Sequence, residues 1–196
     1  MLEYEIIGIV GISSSGKTTL ADTLEKTFPK DFKNLQQVTT RTLRLGDLYR
    51  KVSLEKYEEM KDDLIGKTEV NGTFYGTILP SSPEDKRFII VLNKLGLENL
   101  RRDIKEIEDK NPKIKFTLCV VKIELDENVK LEKREGRDEN FMLREKAEID
   151  SINADVNIKR NSFSSPDNFA RYAYLEINIF FNKHYGCYNS DYVNDR

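Results

Sequence analysis

The sequence predicts an α/β fold, with a mostly parallel sheet covered by helices on both faces. Two observations carry this. Short apolar runs rich in β-branched residues read as strands buried on both sides: "YEIIGIV" (Tyr4–Val10), "RFIIVLN" (Arg87–Asn93) and "IKFTLCVVKI" (Ile114–Ile123). They alternate with stretches whose apolar residues recur at helical spacing, the pattern of parallel strands joined by crossover helices. At 196 residues the chain suffices for one domain with a substantial core.

Each element has a local signal. After the first strand, "KTTLADTLEKTF" (Lys17–Phe28) places Leu20, Leu24 and Phe28 on one helical face, and Pro29 stops it. "LQQVTT" (Leu35–Thr40) is a strand candidate. "SLEKYEEMKDDL" (Ser53–Leu64) is a helix capped by Ser53, with Leu54, Tyr57, Met60 and Leu64 in register. "KTEVNGTFYGT" (Lys67–Thr77) is a hairpin turning at Asn71-Gly72. "LENLRRDIKEIEDK" (Leu97–Lys110) is helical. The charged segment Glu127–Asp150 reads as two helices flanking a mobile loop near Gly136, and "ADVNI" (Ala154–Ile158) as a short strand. A last helix opens at Ser165-Pro166 and runs to Lys183, its aromatics Tyr172, Tyr174, Phe180 and Phe181 serving packing. The stretch after it, around His184, is polar, and the lone histidine receives no role.

"GISSSGKT" (Gly11–Thr18) fits the spacing G-x-x-x-x-G-K-[ST] between a strand and a helix. Backbone N–H groups of Gly11, Ser13, Ser14, Ser15, Gly16, Lys17, Thr18 and Thr19 would wrap the phosphates of ATP, helped by the helix N-terminus. Lys17 would reach the β- and γ-phosphates, and the Thr18 hydroxyl would bind Mg²⁺. The expected architecture is therefore a P-loop NTPase sandwich of three layers, α/β/α.

"TTRTLRLGDLYRKVS" (Thr39–Ser53) gathers Arg41, Arg44, Tyr49 and Arg50. Two guanidiniums and a phenol suit a second phosphate. Together with "EVNGTFYGT", this stretch resembles the guanylate kinase family, with its T-T-R-x-x-R-x-G-E pattern, a downstream Tyr and a Y-G-[TS] turn. The resemblance extends to about Asn161. It implies that Arg41, Arg44, Tyr49 and Tyr75 hold the acceptor phosphate, with Thr77 near the acceptor base. It also implies that Arg137, Arg144 and either Arg134 or Lys133 close over the transferring group, and that Asn161 lies beside the donor base. A small acceptor-binding β subdomain and a helical lid follow. The division is core 1–34, 87–125 and 152–183, acceptor subdomain 35–86, lid 126–151 and tail 184–196.

The sequence departs from the family where guanine is read. Gly66 stands in place of a Glu, and Val91 and Asn93 stand in place of an Asp-x-Asp. Asn93 accepts through its amide oxygen but also donates. Asp47, Glu69 or another acid could substitute for them. Ribose 1,5-bisphosphate phosphokinases share the loss of these acids, with Val and Asn near the Asp-x-Asp position. The leading expectation is a kinase moving the ATP γ-phosphate onto a (deoxy)nucleoside monophosphate, GMP or dGMP or a variant nucleotide. The alternatives are a kinase for ribose 1,5-bisphosphate or another non-guanine phospho-acceptor, and a binding module for a phosphorylated partner with little catalysis.

Composition limits the other classes. Lys plus Arg is 32 against 34 Asp plus Glu, a net charge of −2, which gives no general attraction to nucleic acid or anionic membrane. No apolar run approaches the ~18 residues of a membrane span. The two cysteines, Cys119 in an apolar run and Cys187 in the tail, make no disulfide framework and fit a reducing compartment. With one His, a zinc site is not expected. The chain is expected to be cytoplasmic, to act on small-molecule nucleotide substrates without nucleic-acid or membrane partners, and to exist as monomer or homodimer.

Overall fold

The structure is a computed structural model and describes residues 1–43, 47–125, 139–160, 163 and 165–186. Among these, the elements in order are β1 (Leu2–Gly11), α1 (Lys17–Thr27), β2 (Phe32–Asn34), β3 (Gln37–Thr39), β4 (Tyr49–Lys51), α2 (Leu54–Met60), β5 (Leu64–Val70), β6 (Thr73–Ile78), β7 (Arg87–Val91), α3 (Lys94–Lys110), β8 (Ile114–Glu124), α4 (Glu139–Asp150), β9 (Val156–Lys159) and α5 (Pro166–His184).

A five-stranded parallel sheet in the order β2-β7-β1-β8-β9 forms the centre. β1 is apolar on both faces because both are covered. Ile7 and Ile9 pack with Leu20 and Leu24 of α1 and with Phe169, Ala173, Ile177 and Phe181 of α5. Ile6 and Val10 face the other way, onto Leu97 and Leu100 of α3. The period of two along the strand thus feeds both layers of the sandwich. Cys119 lies in the first of these cores, and burial pushes its thiol well above the usual range. Tyr174 stacks on Phe28 at 4.1 Å, and Phe180 packs against the same core, so these α5 aromatics are structural. His184 lies exposed near the end of α5, its Nε2 3.3 Å from Thr117 Oγ1.

A second sheet, β4-β3-β6-β5, stands beside the first. Here the structure differs from the sequence reading. The strand expected over Leu35–Thr40 is shorter, β3 at Gln37–Thr39, and is preceded by a strand of the other sheet, β2 at Phe32–Asn34, which the sequence reading did not expect. The chain changes sheet between adjacent residues: Leu35 N–H still donates to Ile89 of β7, while the Gln36 carbonyl accepts from Ile78 of β6. The helix expected over Ser53–Leu64 ends at Met60. Leu64 is buried and pairs with Ile78, so tertiary packing turns the last residue of the helical pattern into the first of β5. Ser53 does cap α2, its side chain accepting from Lys56 N–H. β4, only three residues long, gives no periodic signal and is held by parallel pairing with β3. Of the two helices expected in Glu127–Asp150, α4 is the second. Gly136, like Cys187, lies outside the described residues. Among the described residues no helix is long and apolar enough to cross a membrane.

Candidate active site

Parallel strands place their carboxyl ends on one edge, where ligands bind in open α/β sheets. The register aligns Gly11 of β1 with Ile123 of β8, and Ile123 with Ile158 of β9. The loop after β1 and the turn after β9 therefore share an edge with the N-terminus of α3. A cleft of about 1840 Å³ opens there, running from the loop to the second sheet. One small ligand typically fills roughly 300–1,000 Å³, so this volume suits two substrates side by side.

Gly11, Ser13, Ser14, Gly16, Lys17, Thr18 and Thr19 line one end. The loop has the twisted backbone that aims successive N–H groups at an anion. Ser14 takes φ of 65°, which costs a non-glycine residue about 1 kcal/mol. Gly16 takes φ of 95° and caps α1 with no side-chain partner, and no acid sits in the first turn. Lys17 Nζ donates to the loop's own carbonyls, Gly11 at 2.7 Å and Ile12 at 2.8 Å. Ser15 is placed differently from its neighbours. Its side chain is buried against Gly11, its N–H donates to Ile12 O, and it does not line the cleft.

The other end carries Arg41, Asp47, Tyr49 and Tyr75. Arg41 Nη1 lies 2.7 Å from Asp47, and its guanidinium is 5.5 Å from the Tyr49 ring centre. Donating this hydrogen bond to the Asp47 carboxylate raises the Arg41 pKa further, so its charge is permanent. Tyr49 and Tyr75 meet edge to face at 5.7 Å. Burial first, then the nearby Tyr75, pushes Tyr49 up to about 12, so its phenol stays a neutral donor at physiological pH. Arg44, the second arginine of this motif, lies outside the described residues.

The positions expected to read the acceptor base are rearranged. Gly66 lines the cleft at a bulge of β5, with φ of 61°, and its N–H donates to the buried carboxylate of Asp103 at 2.8 Å. Asn93 lines the cleft as the N-cap of α3, its Oδ1 accepting from Gly96 N–H at 2.7 Å. Thr77 is fully buried below the cleft, its hydroxyl 3.5 Å from Gln37 Nε2, and does not line it. Glu69 is exposed and lies between two lining residues, Thr68 and Val70. Asp47 is engaged with Arg41. The Thr68 side chain lies in this part of the lining instead.

Arg144, from α4, also lines the cleft. Arg134, Arg137, Lys133 and Asn161 lie outside the described residues. Several residues that the sequence reading passed over prove central. Glu145, next to Arg144, reaches the loop: Ser13 N–H and Oγ donate to its carboxylate at 3.0 and 2.7 Å. Gln37 bonds both main-chain groups of Val91, tying β3 to the end of β7 across the two sheets. Arg160 donates to Ser14 O at 3.0 Å. None of these lies in a spacing that announces it; Gln37 alone left a hint, as a buried polar residue in a strand. Among the described residues no group of three or more His, Cys, Asp or Glu could hold a metal, whereas Thr18 in the first turn of α1 lines the cleft where a phosphate-bound cation would sit.

No protein-family model matches the chain, and no curated protein matches it. Solved structures do match. A guanylate kinase from Anaplasma phagocytophilum is 15% identical, with 91% of this chain and 86% of that one covered and a TM-score of 0.57. The chain shares the α/β fold of that protein, a mostly parallel sheet covered by helices. A sugar kinase from Janibacter sp. HTCC2649 is 12% identical, covering 90% of this chain and 95% of its own at a TM-score of 0.44. A gluconokinase from Sinorhizobium meliloti 1021 is also 12% identical, covering 94% and 98% at 0.42.

Proposed function

We propose that the protein is a phosphotransferase that moves the γ-phosphate of ATP onto the phosphate of a (deoxy)nucleoside monophosphate. The observation that carries this reading is one cleft with a phosphate-binding loop at one end and Arg41, Tyr49 and Tyr75 at the other. A hydrolase has no need of the second anion site. A partner-binding module has no need of Lys17 and Thr18.

The chemistry follows from these groups. Loop N–H groups and Lys17 hold the donor phosphates, and Lys17 leaves the Gly11 and Ile12 carbonyls to do so. Arg41 and the two phenols hold the acceptor phosphate and aim one oxygen at the γ-phosphorus. That oxygen is already anionic, so no general base is required. Its bond to phosphorus forms as the bond to the ADP oxygen breaks, and Arg144 offers charge to the moving group. Thr18 would hold Mg²⁺, which when bound neutralises charge on the β- and γ-phosphates.

A second reading is favoured by one specific feature. Gly66 and Asn93 leave the base-reading positions without a carboxylate, which suits an acceptor other than guanine, ribose 1,5-bisphosphate included. Measuring ATP binding and turnover in Lys17→Ala tests the common core of both readings. Loss of both is expected; retained turnover would end the proposal.

A further inference from the structure

β9 ends at Lys159, paired with Glu124, and the next residue is Arg160. The register puts it on the carboxyl edge, alongside the loop. The Arg160 carbonyl accepts from Phe163 N–H, and the Phe163 ring packs on Phe169 of α5 at 5.4 Å. The guanidinium lies against the loop at Ser14 and Gly16. A Cβ at Gly16 would stand 3.3 Å from Arg160 Nε and 3.4 Å from Cζ, so the glycine makes room for it as well as supplying the left-handed turn. Arg160 Nη1 donates to Ser14 O, the residue held at positive φ. A guanidinium has five N–H donors, and one is used here. Among the described residues no carboxylate pairs with Arg160, and its side chain lines the same cleft as Lys17 and Thr18.

We propose that Arg160 is a donor-phosphate residue: it braces the loop through Ser14 and presents its remaining donors and its charge to the ATP phosphates. This deepens the proposed function and rests only on the part of it in which the loop binds a nucleoside triphosphate. The arrangement is economical physically. The bond to Ser14 fixes the fork before the ligand arrives, so little side-chain freedom is lost on binding.

The test compares binding of ATP and of inorganic tripolyphosphate, without acceptor, to wild-type chain, Arg160→Gln and Arg160→Lys. Gln keeps a donor for Ser14 O but loses the charge; Lys keeps the charge. The expected result is a roughly tenfold weaker Kd for both ligands in Arg160→Gln, and a loss of less than about threefold in Arg160→Lys. Equal binding by wild type and Arg160→Gln would reduce Arg160 to a brace and overturn the proposal. A loss for ATP but not for tripolyphosphate would place the guanidinium on the base instead, and would also overturn it. Failure of wild-type chain to bind ATP would count against the proposed function itself, a separate outcome. Thermal melts of the three proteins show whether each is folded.

Discussion

Tyr49 shows how packing sets chemistry at a single residue. Its ring lies between the Arg41 guanidinium and the Tyr75 ring, and burial holds its phenol neutral up to about pH 12. An unfolded tyrosine loses its proton near pH 10. Between about pH 10 and 12 the folded chain therefore binds more protons than the unfolded one, and stability falls as pH rises. Denaturant unfolding measured across that range should show the fall, and Tyr49→Phe should flatten part of it. Tyr185, also pushed up to about 12, keeps another part of the slope. An unchanged slope in Tyr49→Phe would mean that the phenol is not buried as described. The individual site residues differ in how far the sequence revealed them. Lys17, Thr18 and Arg41 were legible because loop chemistry and a paired-arginine motif demand those types at those spacings. Arg160, Glu145 and Asp103 were not, since each acts across a distance that only the tertiary fold closes.

Among the elements, α4 is the one whose position matters most for the cleft. Ile149 anchors its C-terminal end in the core beneath α3, while Phe141 and Leu143 near its start are exposed. In between, the Glu145 carboxylate occupies Ser13 N–H and Oγ at the lip of the phosphate loop. A carboxylate and a phosphate compete for the same donors, so on the proposed reading ATP would have to displace Glu145 from Ser13. Glu145→Ala should therefore tighten ATP binding, by roughly three- to tenfold, measured by calorimetry without acceptor. Weaker binding in that variant would show that Glu145 supports the loop rather than competing for it. The elements themselves were mostly visible in the sequence. β1, β7 and β8 announce themselves because strands covered on both faces must be continuously apolar, and α1, α3 and α5 because one helical face must be. Of the three-residue strands, β3 lay within the candidate at Leu35–Thr40, and β2 and β4 were not visible. β2, β3 and β4 exist through pairing with distant partners, and the change of sheet at Leu35-Gln36 depends on β6 and β7 rather than on any local preference.

At the scale of the whole molecule, two sheets meet along one cleft and are tied at two points. Gln37 joins β3 to β7 through Val91, and Asp103 of α3 holds the bulge of β5 through Gly66 N–H. The second tie accounts for one departure seen in the sequence: Gly66 is in a left-handed bulge that a Glu would strain. Val91 bonds Gln37 through its backbone alone and Asn93 caps α3, roles that an Asp would also fill, so the structure does not explain those two departures. On the proposed reading, this end would hold a phosphate through Arg41, Tyr49 and Tyr75 and would meet the rest of the ligand with uncharged groups such as Thr68. The measurement that tests this account most directly is ADP release from ATP–Mg²⁺ against paired acceptors: nucleoside monophosphates and ribose 1,5-bisphosphate, each beside its dephosphorylated counterpart. The account predicts turnover with at least one phosphorylated acceptor, none with its dephosphorylated partner, and a sharp rise of that acceptor's KM in Arg41→Ala. ADP release that proceeds equally without any acceptor, or that does not distinguish phosphorylated from dephosphorylated compounds, would contradict it.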